Sequence, residues 1–157
     1  MKAFVSTTPA LQASRENNLV IIQNEFVKWV HDTEQGGELC GAFVKNGSNK
    51  NLLYRPQTTA VCPWVKGGWR QYHHYETVKN KAKTFEISQQ DDQVILNYSS
   101  DLCDLEGETL KNVQVNHSVI YHASGAAEHT VTLDFKKDLD MGHVRIGTLN
   151  IVNSMNM

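Results

Sequence analysis

The sequence predicts an α+β or mostly-β fold, an antiparallel sandwich or partly open barrel with one long N-terminal amphipathic helix. Three observations carry that expectation. A stretch of helical periodicity ends at a glycine pair, a run of short alternating segments follows it, and turn residues mark most of the joins. One helix followed by many strands argues against a parallel βαβ sheet.

The helix is expected over residues 15–33. Thr8 before Pro9 offers a start, and Leu19, Ile22, Phe26, Trp29 and Val30 then recur at helical spacing with Asn24, Lys28 and Asp32 between them. Gly36-Gly37 supply the left-handed residues on which helices end. Val20, Ile21 and Val27 widen the apolar stripe, so the helix should lie across a sheet or serve as an assembly surface.

Strands are expected at residues 39–45, 52–55, 84–88, 94–98, 113–122, 129–136 and 144–152, with a loop through Pro63. Asn46-Gly47, Gln90-Asp91-Asp92 and Ser124-Gly125 mark turns. In the hairpin over 113–136, Val113, Val115, His117, Val119 and Tyr121 share one parity and His129, Val131, Leu133 and Phe135 another. Pairing Tyr121 with His129 puts both sets on one apolar face, with Asn116, Ser118 and His122 on the wetter one. His117 and His129 then read as core histidines donating N–H to backbone carbonyls, and His122 as available for chemistry.

The chain of 157 residues has the length of a single domain, 1–157, with residues 1–8 and 153–157 as frayed tails. A net charge of −2 and the lack of a basic stripe argue against nucleic-acid binding. Cys40, Cys62 and Cys103 form an odd set without C-x-x-C spacing, so no disulfide framework or zinc site is expected. No signal peptide or membrane-length apolar run is present, so the expected location is cytoplasmic, a pattern that export by a specialised system would share.

His117, His122, His129 and His143 lack ligand spacing on any single element, and neither a metal nor a cofactor is expected. Residues 64–80 read as a long loop or irregular strand. Within it Trp64, Trp69, Tyr72 and Tyr75 form the best candidate recognition surface, or else plugs folded over one end of the sheet.

The candidate catalytic pair is Cys103 with His122. A thiol and an imidazole brought together make an activated nucleophile. The strand, the Cys-bearing loop, and the strand ending Tyr121-His122-Ala123-Ser124-Gly125 resemble about twenty residues of the glutamine-deamidating toxins of the necrotizing-factor type, with Asp101-Leu102-Cys103 where that family has Ser-Gly-Cys. Glu38-Leu39-Cys40-Gly41-Ala42-Phe43-Val44, with Tyr54-Arg55-Pro56, resembles the opening of the JAB/MPN-type zinc isopeptidases, which implies a general base at Glu38. Their histidine pair is reduced here to His117-Ser118-Val119. Cys40 and His143 follow the order of papain-type cell-wall amidases, although Cys40 lies in a strand pattern rather than at a helix start.

Without a complete catalytic set, the expected function is a non-catalytic binding or assembly module, a subunit of a larger complex whose partner is another protein or a copy of itself. The alternative is a cysteine-dependent amide hydrolase or deamidase acting on a protein substrate, with Cys103 as nucleophile and His122 as base.

Overall fold

The computed structural model describes residues 10–47, 49–63, 74–90 and 92–151. In chain order the strands are β1 Gln12–Glu16, β2 Leu19–Gln23, β3 Val27–Asp32, β4 Glu38–Val44, β5 Leu53–Pro63, β6 Tyr75–Glu76, β7 Ala82–Gln90, β8 Gln93–Ser100, β9 Val113–His122, β10 Ala127–Phe135 and β11 Met141–Ile151. They form three antiparallel sheets, ordered β1-β2-β3-β4, β10-β9-β8-β7 and β11-β5-β6.

The long N-terminal helix is absent. Residues 12–32 are three strands, and among the described residues the helical content is a single 3-10 turn, Thr77–Lys79. The cause is local. Asn17 takes φ 55° in the two-residue loop Asn17-Asn18, which closes the β1–β2 hairpin. Val20, Ile21 and Ile22 are all buried, so this β-branched run is a strand covered on both sides and not one stripe of a helix. Asn24 then accepts the amides of Phe26 and Val27 through Oδ1, which turns the chain into β3. Phe26, counted above in the apolar stripe, sits in that turn and is 44% exposed.

Gly36 and Gly37 are left-handed, at φ 69° and 76°, and join β3 to β4. A Cβ on Gly36 would lie 2.4 Å from the carbonyl oxygen of Thr77, so the turn is pressed against the 3-10 segment. β5 runs on to Pro63, where a loop was expected. Pro56 is accommodated because the β11 register jumps from Asn150↔Arg55 to Thr148↔Thr58 and passes over it.

The β9–β10 register opposes Tyr121 with Ala127 and Val119 with His129, a slip of two residues from the expected pairing. An even slip leaves every side chain on its face. β9 accordingly alternates buried and half-buried along its whole length.

The main core lies between the two four-stranded sheets: Val20, Ile22, Trp29 and Leu39 meet Val94, Leu96, Tyr98, Val119 and Tyr121. Trp29 packs on Tyr121 at 4.6 Å between ring centroids. A second cluster of Val61, Leu102, Val113 and Val115 ties β5 to the far end of β9.

Candidate functional site

Strand alternation delivers polar groups into this core. β3 contributes His31, β4 Glu38, β8 Tyr98, and β9 both His117 and Tyr121; all are buried, and Glu38 has no exposed surface. His31 donates from Nδ1 to the Gly37 carbonyl at 2.8 Å, which fixes its tautomer, and its Nε2 accepts the Tyr121 hydroxyl at 2.6 Å. Glu38 Oε1 accepts the Thr77 hydroxyl, and Oε2 accepts Tyr98 at 3.4 Å.

His117 stacks on Tyr98 at 4.4 Å. Its Nδ1 lies 3.0 Å from His129 Nε2, and His129 Nδ1 lies 2.9 Å from Gln57 Nε2. The two histidines therefore bond to each other and not, as expected, to backbone carbonyls. The other nitrogen of His117, Nε2, is buried without a hydrogen bond, 3.6 Å from Glu38 Oε1. The chain Gln57–His129–His117–Glu38 thus joins β5, β10, β9 and β4, one strand or more from each of the three sheets.

Burial governs the charges. Desolvation pushes Glu38 up to about 7 against the hydrogen bonds of Thr77, Thr59 and Tyr98, which favour its ionised form. Desolvation, then the fields of His129 and His31, lowers His117 to about 3. Burial lowers His31 to about 4 against the Gly37 hydrogen bond. His129 is lowered by burial, and both Tyr98 and Tyr121 are raised. Near neutrality the histidines are uncharged, and Glu38 is the group that titrates. This site can store a proton, but a general base must reach its substrate, and Glu38 and the His117 side chain have no exposed surface.

Cys103 and His122 are not brought together. Cys103 bridges Glu76 and Thr109 and is buried, with its sulfur 3.4 Å from Asn80 Nδ2 and from Thr109 Oγ1. His122 ends β9, its Nε2 2.8 Å from Glu128 and its Nδ1 3.4 Å from Gln93. β8 meets Val115 at Ser100, just before Cys103, and His122 at Gln93, so the two lie beyond opposite ends of the ladder. Val115 and His122 are seven residue steps apart on the strand, roughly 23 Å at the usual rise.

Tyr75 is half-buried against the second core cluster. Trp64, Trp69 and Tyr72 lie outside the described residues. Cys40 donates to the Val30 carbonyl, and burial raises its thiol to about 11. Of the residues that carry the isopeptidase resemblance, Glu38 and His117 do meet. Among the described residues no group of three or more His, Cys, Asp or Glu side chains is arranged to hold a metal.

His31 escaped sequence reasoning because its segment was assigned to a helix, where strand parity is not read. Tyr98 and Tyr121 had the parity signal but looked like ordinary core aromatics, and Gln57 and Thr77 carried no local signal.

A second feature lies at the margin of the third sheet. β11 is its edge strand, and Val144, Arg145 and Ile146 are exposed in succession, so both faces of the strand are open there. Several other edges carry guards, although β7 also exposes Glu86 to Gln90 in succession. Gln89 clasps β1, accepting from the Ala13 amide and donating to the Leu11 carbonyl. β10 shows Glu128, Thr130 and Thr132 outward, β7 carries Lys83 and Glu86, and β6 has two residues.

No protein-family model matches the chain, and no curated protein matches it either. Fold and site together define a three-sheet antiparallel β protein with a largely buried histidine–glutamate network in its core and an open edge strand at its margin. Among the described residues, no helix is long and apolar enough to cross a membrane.

Proposed function

We propose that the protein is a non-catalytic assembly module that recognises a polypeptide strand along β11. One observation carries this: an edge strand of eleven residues exposes Val144 and Ile146, 39% and 58% accessible, with Arg145 as the charge between them. Unpaired backbone groups flanked by apolar side chains are a template for strand addition, and proteins that must avoid pairing place charges, prolines or covering loops at such edges. A second copy of the chain is the simplest partner, because antiparallel pairing of β11 with itself satisfies both edges at once. The sealing of Glu38 and His117 supports the non-catalytic half of the proposal.

Sedimentation velocity over a wide concentration range, combined with hydrogen exchange of residues 141–151, tests it. The expected result is a concentration-dependent larger species in which the β11 amides become protected and which Ile146→Lys abolishes. A chain that stays monomeric throughout, with those amides exchanging freely, overturns it.

A further inference from the structure

We infer that Gln57, His129, His117 and Glu38 form a reversible proton wire, in which one proton is taken up at half-buried His129 and delivered to Glu38 while both imidazoles stay neutral. The geometry is a continuous chain: 2.9 Å from Gln57 to His129, 3.0 Å from His129 to His117, and 3.6 Å from the unsatisfied Nε2 of His117 to Glu38. The last contact must shorten by a few tenths of an ångström to reach hydrogen-bond length.

The chain has two directions. With Glu38 ionised, Gln57 donates to His129 Nδ1, His129 Nε2–H donates to His117 Nδ1, and His117 Nε2–H points at the carboxylate. A proton arriving at His129 Nδ1 lets the Nε2 proton of His129 pass to His117 Nδ1, and the Nε2 proton of His117 pass to Glu38. One proton has entered, each ring still holds one, and every bond is reversed; Gln57 turns its amide to accept from His129 through Oε1. Thr77, which donates to Glu38 in the first state, has the Thr59 carbonyl at 3.4 Å as its alternative acceptor. A neutral wire is favoured because an imidazolium in this core would be desolvated without a partner.

The surrounding groups leave Glu38 as the terminus. From β3, His31 is held neutral between Gly37 and Tyr121, and the carboxylate of Asp32 is taken by Asn18 and Gln35. From β8 and β9, Tyr98 and Tyr121 present hydroxyls that stay protonated. Beside Thr77, Glu76 lies 3.6 Å from His74. The wire is independent of the β11 proposal.

Nitrogen-15 NMR of the histidine rings between pH 5.5 and 8.5 tests it. The expected result is that His117 and His129 exchange an Nε2–H for an Nδ1–H tautomer together as pH falls, with one midpoint at about 7, while His31 keeps its Nδ1–H form. In Glu38→Gln the exchange becomes independent of pH. In Gln57→Met, which leaves the carboxylate in place, the two rings still switch together through their shared hydrogen bond. Unchanged tautomers, separate midpoints for the two rings, or an imidazolium at either ring above pH 5.5 overturns the wire.

Discussion

His31 Nε2 and the Tyr121 hydroxyl meet at 2.6 Å across the space between the two four-stranded sheets, from positions 90 residues apart in the chain. Both side chains are buried, and Tyr121 also packs on Trp29. Tyr121→Phe keeps the ring and removes the donor, which leaves His31 Nε2 without a partner in the core. The expected cost is about 1–3 kcal/mol, read as a lower urea midpoint with an unchanged slope. A smaller loss in Tyr121→Phe combined with His31→Leu shows that the cost is that of the orphaned nitrogen.

Glu38 and the histidines set opposite pH dependences. The carboxyl is raised from 4.5 to about 7, so its contribution to stability is fully present below pH 4.5 and is lost as pH rises to about 7. His31 and His117 are lowered from 6.5 to about 4 and about 3, so their contribution is present above 6.5 and is lost as pH falls towards those values. Glu38→Gln removes the first term alone. The variant should exceed the parent in stability by on the order of 1–3 kcal/mol at pH 8, with the difference gone by pH 4. Denaturant melts at the two pH values check it, and an equal difference at both contradicts a titrating Glu38.

Gly36→Ala places a methyl group against the Thr77 carbonyl at a left-handed φ of 69°. Neither the backbone of the turn nor that of the 3-10 segment yields cheaply, so a loss of about 2 kcal/mol or more is expected. Thr77 is the hydroxyl that bonds Glu38. The same variant should therefore shift the Glu38 carboxyl signal in a carbon-13 titration, which a purely local strain would leave in place.

Asn24 is a buried turn residue with three partners, accepting from Phe26 and Val27 and donating to the Ala123 carbonyl at 2.8 Å. Asn24→Ala removes the partner of two part-buried amides and one buried carbonyl, at an expected cost of about 2–3 kcal/mol. Asn24→Asp keeps the acceptor and should recover part of that loss in thermal melts.

Strand patterning was legible where it was regular. β9 was expected over Val113–His122 and is found there, because a strict alternation admits one period. The segment from Arg15 to Thr33 misled because Leu19, Ile22, Phe26 and Trp29 keep helical spacing across a turn that their order does not reveal. The decisive evidence was the Asn17-Asn18 pair and the β-branched run Val20-Ile21-Ile22, which favour a hairpin. The histidine pair was placed on the correct face, since an even register slip preserves parity. Its joining to Glu38 was hidden, because contacts between sheets depend on how three sheets stack and not on any local pattern.

The four groups of the wire come from positions 38, 57, 117 and 129, and no two of them are neighbours in sequence. Loop closure of that span is costly until the strands between are already in place. His117 and His129 meet within one hairpin, so only their links to Gln57 and Glu38 are expected to close late, and Gln57→Met, which breaks one of those links, should quicken unfolding while leaving the refolding rate nearly unchanged. What the wire contributes to the lifetime of the native state is a brake on its escape.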